Sequence, residues 1–67
     1  MILQTRIKEF RARYNLTQDD LANMVGVTRQ TLLNLEKGRY NPSLILAYKV
    51  AKALKSNVEE VFVITDE

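Results

Sequence analysis

The chain has 67 residues, ten lysines and arginines against eight aspartates and glutamates, and neither cysteine nor histidine. That excludes disulfides and Cys/His metal sites and leaves a core large enough for one small domain, with oligomerisation as the expected source of extra stability. The net charge of +2 conceals an asymmetry: residues 1–55 carry all ten bases and four acids, whereas Glu59, Glu60, Asp66 and Glu67 make residues 56–67 net −4.

In chain order, Leu3, Ile7, Phe10 and Tyr14 recur at helical spacing, which predicts a first helix from about Thr5 to Tyr14. Asn15 tolerates a left-handed backbone and is the expected stop. Thr17 caps a second helix with Asp20 as a shortened capping-box partner, since Glu or Gln is usual there. Its apolar face is Leu21, Ala22 and Val25, and Gly26 ends it. Thr28 caps a third helix, Arg29 to Lys37, with Val27, Leu32 and Leu35 directed inward and Gly38 as its stop.

Arg39 to Pro42 reads as a loop. Ser43 caps a fourth helix, Leu44 to Leu54, with Leu44, Ala47, Val50, Ala51 and Leu54 inside. Asn57, paired with Glu60 in a capping box, opens a fifth helix of one or two turns through Val61 and Phe62. The apolar ends, Met1 to Gln4 and Phe62 to Thr65, are expected to pair as a short antiparallel ribbon. The fold class is mostly α, with five helices, in a single domain over 1–67.

The informative segment is about 17–37. Two short helices joined by Met24-Val25-Gly26-Val27-Thr28, with Gly26 supplying a positive φ, form a helix-turn-helix. This leaves one face of the third helix outward: Arg29, Gln30, Leu33, Asn34 and Lys37. Arginine pairs with guanine, and glutamine and asparagine pair with adenine. Leu33 either touches a thymine methyl or turns partly into the core. Gln18, Thr28 and Thr31, at helix starts, and Lys37, Arg39 and Tyr40, after the reading helix, are the expected phosphate contacts, with Asn41 beside them.

Together these residues, Thr17-Gln18-x-x-Leu21-Ala22, Gly26-Val27-Thr28-x-Gln30-Thr31, Leu35-Glu36-x-Gly38 and Asn41-Pro42-Ser43-Leu44, resemble the Cro/CI-type (XRE-like) helix-turn-helix repressors over roughly residues 5 to 62. The resemblance implies a five-helix lambda-repressor-like domain that binds double-stranded DNA through its third helix and regulates transcription, as a repressor. It also implies that Gln18 holds a phosphate, that Gln30 and Asn34 read bases, and that Arg11 and Glu36 form a structural salt bridge. Asn15, Asp20 and Leu33 depart from the family's common residues.

One reading helix covers few base pairs, so a homodimer is expected. Its candidate interface is Val58, Val61, Phe62, Val63 and Ile64, with Ile45 and Tyr48 on the fourth helix; Phe62 is also expected to close the protomer core. The acidic tail should lie away from DNA. Catalysis is not expected: the acid pairs Asp19–Asp20 and Glu59–Glu60 are adjacent on helices and do not face each other. No cofactor, metal or small-molecule ligand is implied. The longest apolar stretch, Leu44 to Tyr48, is too short for a membrane span, no secretory signal is evident, and the absence of cysteine fits the cytoplasm.

Overall fold

The computed structural model describes residues 2–66, so the expectations that touch Met1 and Glu67 lie outside the described residues. The order is β1 (Ile2–Thr5), α1 (Ile7–Arg13), α2 (Gln18–Val25), α3 (Arg29–Glu36), α4 (Leu44–Ala53), α5 (Val58–Val61) and β2 (Phe62–Thr65). The strands form an antiparallel ribbon in which Ile2 faces Thr65, Leu3 faces Ile64, Gln4 faces Val63 and Thr5 faces Phe62.

The first helix starts later than the apolar stripe predicts. Thr5 belongs to the ribbon, and its hydroxyl donates to the Glu36 carbonyl at 2.9 Å, which fixes β1 against the end of α3. The chain turns into α1 only at Arg6, whose amide donates to the Val61 carbonyl at 2.8 Å. Arg6 offers no side-chain cap; it pairs instead with Glu9 one turn on, at 2.8 Å.

The remaining helix starts follow their caps. Thr17, Thr28, Ser43 and Asn57 each accept a hydrogen bond from the third backbone amide of the helix that follows. Asp20 is long enough to complete its box: the Thr17 amide donates to its carboxylate at 2.9 Å while the Thr17 hydroxyl accepts from the Asp20 amide at 3.0 Å. The Asn57–Glu60 box closes in the same way.

Four helices end alike. Asn15, Gly26, Gly38 and Lys55 all have positive φ, and the residue after each donates its amide five residues back, to Arg11, Ala22, Asn34 and Ala51 respectively. This left-handed exit satisfies carbonyls that the helix end would otherwise leave unpaired. Lys55 carries no sequence signal for it, and adopts a conformation most side chains avoid. At Gly38 the requirement is double: φ is +72°, and a Cβ would run into the Leu3 carbonyl oxygen. At Gly26 a Cβ would meet open space.

The core is continuous, built from Ile7 and Phe10 of α1, Leu21, Ala22 and Val25 of α2, Leu32 and Leu35 of α3, the inner face of α4, and Val61 and Phe62. The phase of α4 differs from the expectation at its first turn. Leu46 is buried at 9% exposure and Leu44 stands out at 79%. Leu46, Ala47, Val50, Ala51 and Leu54 form the covered face; Leu44, three residues before Ala47, has the phase to join it but stays uncovered in the first turn. Among the described residues, no helix is long and apolar enough to cross a membrane.

Two outcomes test this account. Gly38→Ala should destabilise the domain by about 2 kcal/mol or more, and Gly26→Ala by about 1 kcal/mol, in urea denaturation; equal costs would mean that only φ matters and the β1 contact does not. The Thr17 amide, with the Thr17 hydroxyl adding to it, holds the Asp20 carboxyl below its ordinary 3.8. A depressed carboxyl contributes stability above that value and loses it as pH falls through the folded-state value. The gap in melting temperature between the native chain and Asp20→Ala should therefore be full above about pH 4.5 and shrink toward pH 2.

Candidate nucleic-acid interface

The helix-turn-helix is α2, the Gly26 turn and α3. Leu21, Ala22, Leu32 and Leu35 are buried between these helices and the rest of the core, so α3 has one face clamped and the other free. A helix with its side chains is about 10–12 Å across, close to the width of a DNA major groove.

On the free face Arg29 and Gln30 are exposed, Asn34 is half-buried, and Lys37 is exposed at the end. The Gln30 amide donates to Asn34 Oδ1 at 3.4 Å, which places two side-chain amides side by side one turn apart. Leu33 is half-buried, between the two alternatives that the sequence leaves open. The expected phosphate-contacting groups surround this face. Thr28 caps α3, its hydroxyl donating to the Thr31 hydroxyl at 3.0 Å, and Gln18 opens α2. Lys37, Arg39, Tyr40 and Asn41 follow α3 and are all exposed. Among the described residues, neither Lys37 nor Arg39 lies within 4.0 Å of a carboxylate, so both charges face solvent. Arg29 approaches Asp19 at 4.0 Å, with both side chains well exposed, a contact of little energetic weight.

The Arg11–Glu36 pair implied by the family resemblance is present, at 2.7 Å between Arg11 Nε and Glu36 Oε2, with side chains only 13% and 9% exposed. Arg11 also donates to the Leu16 carbonyl at 3.0 Å, binding the α1–α2 loop to the same point. Composition and periodicity gave no sign of what extends from it. Gln18 Nε2 donates to Glu36 Oε1 at 3.3 Å, and Gln18 Oε1 accepts from Arg29 Nε at 3.4 Å. These partners are 18 and 11 residues apart, beyond the reach of any local pattern.

The residues expected at a dimer interface divide in two. Ile45 (69% exposed), Tyr48 (55%), Val63 and Ile64 (63%) face outward, with Val58 half-buried. Val61 is fully buried and Phe62 nearly so. Their side chains close the protomer's own core where α5 turns into β2, and Val61 offers no surface to a partner. Leu44, expected inside, joins the exposed set instead. It borders an apolar groove of about 470 Å³ with Leu3, Pro42, Ala47, Phe62 and Ile64.

Removing one member of the part-buried ion pair leaves the other uncompensated, whereas removing both does not. Glu36→Ala should cost about 2–4 kcal/mol in urea denaturation, and the double variant Arg11→Met/Glu36→Leu should recover at least about half of that loss. Equal losses in both proteins would contradict the pair's structural role.

A helix-turn-helix family model matches residues 7–61. An Archaeoglobus fulgidus protein described as an HTH-type transcriptional regulator is 54% identical over 65 residues, covering 97% of this chain and 92% of its own length. The immunity repressor protein of Bacillus phage phi105 is 39% identical over 61 residues, 91% of this chain and 42% of its own. The master regulator for biofilm formation SinR, solved in complex with DNA, superposes with a TM-score of 0.72 at 31% identity, over 81% of this chain and 87% of that one. These relatives are described as regulators and repressors, and this chain belongs to the HTH_3 (XRE-type) helix-turn-helix family.

Proposed function

We propose that this protein is a sequence-specific, double-stranded DNA-binding regulator that lays α3 in the major groove and acts as a repressor. The observation that carries this reading is the free face of α3. Arg29, Gln30 and Asn34 offer groups that match base edges, and Lys37 and Arg39 beside them are cations with no carboxylate partner among the described residues. Leu33, half-buried on the same helix, is suited to a thymine methyl. Gln18, Thr28, Thr31, Lys37, Arg39 and Tyr40 hold the phosphates that set the register. SinR, solved on DNA with the same fold, supports the mode. The phage immunity repressor supports the direction of regulation: a domain seated on an operator that overlaps a promoter excludes polymerase.

The protein binds as a homodimer on half-sites about one helical turn (~34 Å) apart. Leu44, Ile45, Tyr48 and Ile64 are large apolar side chains that the protomer leaves in water, which supports burial against a second copy. The compartment is the cytoplasm, where the DNA is.

Fluorescence-anisotropy titration of duplex DNA across a salt series tests the reading. Affinity should fall with a log–log slope of about −0.9 per phosphate contacted. Sequences enriched by in vitro selection should bind more tightly than random duplex, and Arg29→Ala/Gln30→Ala should lose that preference by roughly 1–3 kcal/mol per base pair read. Absence of duplex binding at low salt would overturn it.

A further inference from the structure

We infer that the groove between the last turn of α2 and the outer side of α4 is a docking surface for an acidic, amphipathic segment of a partner protein. The inference goes beyond the DNA-binding reading and does not depend on it.

The groove has a volume of about 540 Å³, with Met24 and Gly26 on one wall and Tyr48, Lys49 and Lys52 on the other. No carboxylate lines it. Met24 is 56% exposed and Tyr48 is 55% exposed, so the protomer leaves a large apolar and a large aromatic side chain in water at one place. Lys49 and Lys52 are exposed neighbours one turn apart on α4, and Lys55 follows at the same spacing just past the helix end. Among the described residues, none of the three has a carboxylate within 4.0 Å. Lys52 Nζ stands 5.4 Å from the centre of the Tyr48 ring, and Lys55 Nζ stands 5.2 Å from that of Tyr14. Such stacking lays the stems along aromatic surface and keeps the charges at the rim.

Lys55 is a second observation. Its φ of +56° is one that glycine adopts without strain and lysine does not. The chain thus keeps a cation beside this face at a position where backbone geometry favours glycine.

An apolar floor inside a cationic rim matches a segment that carries carboxylates around one or two large apolar side chains. A duplex fits it less well, because a phosphate backbone offers nothing to cover Met24. The groove is also set apart from the face that reads DNA. Gln18 opens α2 and Met24 lies in its last turn, six residues or about 9 Å further along the axis. Leu44, Ile45 and Ile64 serve the second copy, and Tyr48 stands at the border between that surface and this groove.

The test is a selection of short random peptides on the native chain, followed by fluorescence anisotropy with synthetic copies of those enriched. The enriched peptides should be net acidic and carry at least one large apolar side chain. Lys49→Glu/Lys52→Glu should weaken their binding about 10-fold or more, and Met24→Ala about 3-fold. Circular dichroism identifies the variants that are folded. Lys55→Gly keeps the inference testable if the others unfold: it should raise the melting temperature by relieving the left-handed exit, yet weaken the peptides about 2- to 3-fold.

Neutral or basic peptides, or acidic ones that bind the charge-reversed chain as tightly as the native chain, overturn the inference. So does a selection that enriches nothing. In that case, a charge reversal that weakens duplex binding assigns the lysines to DNA. One that weakens self-association in sedimentation equilibrium assigns them to the acidic end of a second copy.

Discussion

The fold converges on Glu36. Its carboxylate neutralises Arg11 from α1, its side chain takes the Gln18 amide from α2, and its backbone carbonyl accepts the Thr5 hydroxyl from β1. Arg11 extends the cluster to the α1–α2 loop through the Leu16 carbonyl. One residue at the end of α3 is therefore tied to each element that precedes it. A half-water-excluded ion pair contributes little net stability against a well-packed apolar pair. What it does supply is geometry, because two charges sharing a fork have few alternative arrangements. Helix α3 is oriented from its C-terminal end by this cluster and along its length by Leu32 and Leu35.

A second constraint is length. The five helices have four to ten residues, too short to be stable alone in water. Their boundaries are stated chemically at both ends: four side-chain caps at the starts and four left-handed exits at the ends. Such boundaries cost little chain, which allows 67 residues to supply five helices and a ribbon around one core. They also sharpen the turn at Gly26, without which α3 would not present a free face.

Much of this was legible. Thr17, Thr28, Ser43 and Asn57 cap helices for reasons internal to three or four residues, and Gly26, Gly38 and Asn15 stop them for the same kind of reason. The ribbon followed from the β-branched residues at the termini. Leu46 was not legible: Leu44, three residues before Ala47, fits the helical spacing as well, and only packing decides which of the two is covered. The chemical types on the α3 face were open to reading because a helix of known phase shows which residues share a side.

The sequence by itself determined the capped starts of α2 to α5, the helix-turn-helix and the identity of the outward groups on α3, because each depends on contacts within one or two turns. The tertiary structure alone decided four things. Thr5 joins the ribbon rather than α1, because Phe62 and the Glu36 carbonyl reach it from 57 and 31 residues away. Lys55 takes a left-handed exit, because α5 and β2 must return over the core. Val61 is enclosed while Ile45, Tyr48 and Ile64 are not, because burial depends on which element arrives to cover a side chain. Gln18 joins Glu36 to Arg29, because its side chain reaches theirs only once α2 and α3 have packed.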